Sequence, residues 1–148
     1  DYVYNVERLL KKFATAAALV PQPVLRPAAR RTELGVIYFG STSPAMQEEL
    51  EALTERGIHL DALRLRAFPF PDSVAQFLAR HQRVFVVEQN RDAQMRSLLV
   101  NELEIDPARL VKVLHFDGTP ITARFIVEAI GAHVGVPAPR APDTQETA

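Results

Sequence analysis

Residues 34–46 read Leu34-Gly35-Val36-Ile37-Tyr38-Phe39-Gly40-Ser41-Thr42-Ser43-Pro44-Ala45-Met46. An apolar run ends in a polar, glycine-led quartet, and a proline follows. The order predicts a buried strand, a tight turn and the first turn of a helix. Gly40 permits the turn. Ser43 is placed to cap the helix through its hydroxyl, and Pro44 suits the first helical position, where its missing N–H costs nothing.

The same alternation continues toward the C-terminus. Met46, Leu50 and Leu53 form one apolar helical face, with Gln47, Glu48, Glu49, Glu51 and Glu55 expected in solvent. Gly57 ends that helix, and Ile58 to Arg66 reads as a second strand. Phe68-Pro69-Phe70-Pro71 forms an extended loop. Asp72 then caps a helix running to about His81, with Val74, Phe77 and Leu78 inward. Arg83 to Glu88 contains Val84-Phe85-Val86-Val87, the clearest buried strand, and it ends in Glu88-Gln89-Asn90. A helix from about Asp92 to Leu103, a capped turn at Asp106-Pro107 and a fourth strand from Leu110 to Phe116 follow. Asp117 to Pro120 is a turn by composition. Thr122 caps a last helix with Phe125, Ile126, Ala129 and Ile130 inward. Strands alternating with helices predict an α/β fold: a mostly parallel sheet of four to five strands with helices on both faces.

Two flanking regions lie outside this alternation. Val3 to Leu19 is helical by the spacing of Val6, Leu9, Leu10, Phe13 and Ala17, without an obvious cap. Pro21 to Thr32 reads as an extended connector carrying Arg26, Arg30 and Arg31. The expected organisation is therefore a helix and connector over 1–33, an α/β domain over 34–134, and a proline-rich, disordered tail over 135–148.

Composition narrows the function. Apolar residues make up 47% and charged ones 24% of 148 residues, the balance of one ordinary globular domain. The net charge of −1 supplies no field to attract nucleic acid or an anionic membrane. The arginines of the connector are better matched to carboxylates on a partner. There is no cysteine, so this chain holds no disulfide, no iron–sulfur ligand and no thiolate nucleophile. No stretch approaches the roughly 20 apolar residues of a membrane span, and a cytoplasmic location is expected. The start at Asp1, without a signal pattern, reads as a processed chain or a piece of a longer one.

Candidate chemistry is sparse. In such a sheet, ligands gather at the carboxyl edge of the strands, where Gly40 to Ser43, Phe68 to Pro71 and Glu88 to Asn90 should meet. Gly40, Ser41, Thr42 and Ser43 resemble an anion cradle at a helix N-terminus, but lack a G-x-G-x-x-G pattern and a P-loop lysine, so a plain capped turn competes. Glu88 and Asn90 are polar groups at a strand end. A lone carboxylate has no partner for acid–base work, which favours hydrogen bonding in a loop or interface. His59, His81, His115 and His133 show no ligand spacing, and solvated or partly buried rings are expected.

Several short motifs in order carry a resemblance: Arg8-x-x-Lys11, the proline-rich connector, Tyr38-Phe39-Gly40-Ser41-Thr42, Gly57-Ile58, Leu65 to Pro71, Val86-Val87-Glu88-Gln89-Asn90 and Gln94-Met95. Together they resemble the C-terminal, transketolase-C-terminal-like region of the alpha subunit of 2-oxoacid:ferredoxin oxidoreductases. Phe116-Asp117-Gly118-Thr119-Pro120-Ile121 is similar to the 2-oxoglutarate branch. Ala93 departs from the pattern, which usually has Gly there. The resemblance implies a complex that oxidatively decarboxylates a 2-oxoacid to an acyl-CoA with thiamine diphosphate, magnesium, an iron–sulfur cluster and coenzyme A, and that delivers electrons to ferredoxin. It implies none of those cofactors on this chain, and no catalytic or metal-binding residue. The implied partners are the remaining alpha-subunit domains and a beta subunit. Gly40, Ser41, Thr42, Glu88, Asn90 and Gln94 carry over as domain-packing positions. The implied role is structural and subunit-docking. Its rivals are the C-terminal domain of another thiamine enzyme, and a small-anion binding module built on the Gly40–Ser43 turn.

Overall fold

A computed structural model describes residues 1–135. Ten elements alternate along the chain: α1 (Tyr2–Leu19), β1 (Val24–Arg26), β2 (Leu34–Phe39), α2 (Ser43–Glu55), β3 (Asp61–Leu65), α3 (Asp72–Arg80), β4 (Arg83–Glu88), α4 (Gln94–Leu103), β5 (Leu110–Leu114) and α5 (Ala123–Val134). The five strands form one sheet in the order β1-β3-β2-β4-β5. β3, β2, β4 and β5 run parallel, and β1 lies antiparallel on the β3 edge, with Leu25 opposite Leu63. The connector thus holds an edge strand that its proline-rich composition hides.

Alternate residues of the central strands face two cores. Val36, Tyr38, Phe85 and Val87 pack under α2 and α5 with Met46, Leu53, Ile126 and Ile130. Ile37, Val84 and Val86 face Val74, Phe77 and Leu78 of α3 and Leu99 of α4. Both faces of β2 and β4 are covered, so these strands are nearly continuous apolar runs. Gly35 is required by packing. A Cβ there would lie 2.9 Å from the Phe77 ring and 3.2 Å from the His81 ring.

The local expectations divide. Gly57 (φ +76°) ends α2. Asp106 caps a short 3-10 turn through the Ala108 N–H (2.9 Å), and Thr122 caps α5 through the Phe125 N–H (3.2 Å). Other expectations are corrected. α1 does have a cap, because Asp1 accepts from the Val3 N–H at 3.2 Å. Ser43 does not cap α2. Gly40–Thr42 forms a 3-10 turn first, and the Ser43 hydroxyl donates to the Gly40 carbonyl at 2.9 Å. Asp72 lies inside the first turn of α3, after Pro71, and makes no capping bond. β3 and β5 are shorter than expected, and α4 begins at Gln94 rather than Asp92. The tail over 136–148 falls outside the described residues.

Two burial expectations are overturned. Glu49 is not solvated: it is fully buried on the inner face of α2, and neither carboxyl oxygen has a hydrogen-bond partner. Burial alone pushes its carboxyl up to about 9, so the side chain is neutral at pH 7. His81 is not a surface ring. It is 2% exposed, with Nδ1 2.7 Å from the Phe77 carbonyl and Nε2 2.9 Å from Asp61 Oδ2. Asp61 Oδ1 in turn accepts from the Ala28 N–H at 2.7 Å, tying the connector to β3 and the end of α3.

Candidate functional site

The carboxyl edge of the sheet brings together the ends of β2 and β4, as the parallel topology requires. The link between them is Gln89, a residue that spacing alone does not single out. Its side-chain amide donates to the Ser41 hydroxyl at 2.9 Å and to the Thr42 hydroxyl at 3.3 Å. Its carbonyl accepts from the Ile121 N–H at 3.3 Å, joining the loop before α5 to the same stitch. The signal was its place in the polar triplet that closes the most apolar strand. Thr42 is buried and Ser41 exposed. Both hydroxyl oxygens therefore serve as acceptors inside the protein, and the turn acts as a packing junction.

Glu88, Asn90 and Gln94 also meet, in a different role. Glu88 is fully buried. Its Oε2 accepts from the Met95 N–H (2.8 Å) and the Asn90 side-chain amide (2.8 Å), and its Oε1 accepts from the Arg96 N–H (2.9 Å). Asn90 Oδ1 accepts from the Asp92 N–H (3.1 Å) and the Gln94 N–H (3.3 Å). The Ser97 N–H reaches the Ala93 carbonyl at 2.9 Å. All four leading N–H groups of α4 are thereby satisfied, three of them by side chains from the preceding strand end and turn. A carboxylate at a helix N-terminus also opposes the helix dipole. The backbone turns into α4 through Ala93 at φ +51°, a region that favours glycine. That explains physically why Gly is usual at this place in the resembling family.

A second polar cluster, Asp61 and His81, borders a cavity of about 130 Å³ between β1, β3 and α3, with Ser73 and Arg80 on its wall. Both His81 ring nitrogens are engaged by oxygen atoms, Nδ1 by the Phe77 carbonyl and Nε2 by Asp61. Neither nitrogen is left free for Ser73, and the cluster is a structural clamp rather than a nucleophile and base. His115 near the β5 end is similarly engaged, with Nε2 3.0 Å from the Thr119 carbonyl and 3.1 Å from Asp117. The hydrogen bonds from Thr119 hold the Asp117 carboxyl below its usual range.

Among the described residues no group of three or more His, Asp or Glu is arranged to hold a metal ion. No described helix is long and apolar enough to cross a membrane. A thiamine cofactor needs a carboxylate presented to its ring. Glu88 offers both oxygens to backbone and amide N–H groups instead, so the residues at this edge do not fit that cofactor.

No family model matches the chain. No curated protein matches it in sequence. Solved structures do resemble it. The 2-oxoglutarate:ferredoxin oxidoreductase of Magnetococcus marinus, with 2-oxoglutarate, coenzyme A and succinyl-CoA bound, aligns with a TM-score of 0.72 and 21% identity over 82% of this chain. The chain spans only 21% of that protein's length. The alpha chain of a probable 2-oxoacid ferredoxin oxidoreductase from Thermoplasma acidophilum aligns with a TM-score of 0.51 and 26% identity, over 77% of this chain and 97% of that one. A split-gene transketolase, as an inactive beta4 tetramer, gives 0.60 and 19%, over 78% of this chain and 42% of that one. The structural neighbours are thus the enzymes that the sequence motifs resemble, and the chain has the transketolase-C-terminal-like fold that they share.

Proposed function

We propose that this chain is a structural and subunit-docking domain of a thiamine diphosphate-dependent 2-oxoacid:ferredoxin oxidoreductase, with 2-oxoglutarate as the substrate of the whole enzyme. The observation that carries the reading is the fate of the polar groups at the carboxyl edge. Gln89 ties Ser41 and Thr42 to the loop before α5, while Glu88 and Asn90 cap α4. These groups build an inward-braced body over residues 34–134. Oxidative decarboxylation needs groups that reach a substrate, and those belong to neighbouring domains carrying thiamine diphosphate, magnesium, the iron–sulfur cluster and coenzyme A. Likeness to two ferredoxin oxidoreductase chains supports the choice of enzyme. The 2-oxoglutarate branch is supported by the Phe116 to Ile121 motif.

The test is the composition of the native assembly. Purified under non-denaturing conditions, it should contain thiamine diphosphate and further polypeptide beyond this domain. An assembly of this domain alone, without thiamine diphosphate, would refute the proposal. Calorimetry of this domain with inorganic phosphate addresses the anion-module rival. The turn lacks the lysine and the full glycine pattern of a phosphate cradle, so we expect no saturable heat, and binding lost on Ser41→Ala and Thr42→Ala would favour the rival.

A further inference from the structure

The chain before Gly35 adds nothing to either core. No residue from Asp1 to Leu34 is buried, and Val24 and Leu25 of β1 are 42% and 49% exposed. β1 pairs with β3 over three residues only: Val24 opposite Arg64, Leu25 opposite Leu63 and Arg26 opposite Ala62. Pro23 and Pro27 bracket it, and a proline has no N–H with which to lengthen the ladder. Outside that ladder, a single hydrogen bond joins residues 1–31 to the body among the described residues. The Ala28 N–H donates to Asp61 Oδ1 at 2.7 Å. No ion pair among the described residues adds to it.

The acceptor of that bond is held from behind. Asp61 Oδ2 lies 2.9 Å from His81 Nε2, and His81 Nδ1 lies 2.7 Å from the Phe77 carbonyl, so β3 and α3 together fix the carboxyl. Beyond Ala28 the chain is fastened again at Thr32. Its hydroxyl donates to the His59 carbonyl at 2.7 Å and accepts from the Leu34 N–H at 3.1 Å. Between the two anchors Ala29, Arg30 and Arg31 are exposed. Through Pro23 and Leu25 the same segment forms the outer wall of the cavity of about 130 Å³ that reaches Leu63, Phe77 and His81.

We infer that residues 1–31 are a latched arm: they lift from β3 as one unit when Ala28 releases Asp61, and turn about Thr32 while the body stays folded. A three-residue ladder and one hydrogen bond to a carboxylate hold the arm down, and its side chains are already in solvent, so opening exposes little new apolar surface. Unfolding the body exposes both cores. The two events therefore differ widely in free energy. Opening frees the outer edge of β3, carries α1 away with β1, and uncovers the cavity. Asp61 is the latch, Thr32 the hinge, and the arm governs access to Leu63, Phe77 and His81.

The test is hydrogen exchange on the full 148-residue chain under native conditions, repeated at low, sub-denaturing guanidinium concentrations. The Ala28 amide and the protected amides of residues 24–26 should share one opening constant, roughly 100-fold or more above that of the β4 amides, with little dependence on denaturant. The Leu34 amide should keep the protection of the body. Opening of β1 with the constant and denaturant slope of β4 would overturn the inference, as would a Leu34 amide that opens with Ala28. Asp61→Ala removes the latch and should raise the opening constant at residues 24–26 about 10–100-fold, with a far smaller change at β4. An unchanged constant at residues 24–26 would overturn it too. Because Asp61→Ala also takes a partner from His81, a second variant leaves the latch intact. The chain has no cysteine, so Leu25→Cys with Leu63→Cys supplies one reducible link across the ladder. Oxidised, that link should slow exchange at Ala28 roughly 10-fold or more, and reduction should restore the parental rate. Exchange at Ala28 that ignores the link would show local fraying instead of an arm that moves as one, and would overturn the inference.

Discussion

At the residue scale, Glu49 departs furthest from its expected environment. Its carboxyl is neutral in the folded chain at pH 7 and charged in the unfolded one. The raised value means that the unfolded state loses this proton first as pH rises, so stability falls between about pH 4.5 and 9. At pH 7 the difference is about 3 kcal/mol. Glu49→Leu should therefore raise the melting temperature at pH 8 and flatten its decline between pH 6 and 9. A variant that melts no higher than the parent, with the decline intact, would contradict this. The position was legible in spacing, three residues after Met46 and four before Leu53, but the acidic chemistry of the run argued for solvent. Gly35 is the second such residue. Phe77 is locked in the core and His81 is clamped by two hydrogen bonds, so neither ring can yield freely to an added methyl. Gly35→Ala should cost about 1–3 kcal/mol, read as a lower denaturant midpoint.

At the element scale, α4 shows how a helix can start without a local cap. Ala93 offers no side chain for the task, and the Glu88 and Asn90 side chains supply it from the strand end and turn. Glu88→Gln should cost about 1–3 kcal/mol, because an amide accepts at one oxygen only and leaves a buried N–H unpaired. Hydrogen exchange at the Met95 and Arg96 amides should accelerate more than at α5. Equal protection in the variant would show that the cap is dispensable. Their place at a strand end marked Glu88 and Asn90, and the family resemblance added Gln94, yet neither showed their common purpose, since a cap from seven residues away leaves no periodic mark. β1 was hidden for another reason. Three residues between Pro23 and Pro27, exposed on both faces, show no alternation to read.

At the scale of the whole molecule, the layered plan followed from the alternation of apolar runs with helical spacing, and the two-faced core bears it out. The antiparallel edge and the solvent-exposed arm did not follow from it, because both depend on surfaces rather than on period. The fold is a body braced from within at the carboxyl edge of its sheet, and the proposed function places the reacting atoms on other parts of the enzyme. The most direct measurement is coenzyme A-dependent decarboxylation of 2-oxoglutarate with ferredoxin as acceptor, run on this chain by itself and on the native assembly. The account predicts turnover by the assembly and none above background by the chain. Turnover by the chain alone would contradict it.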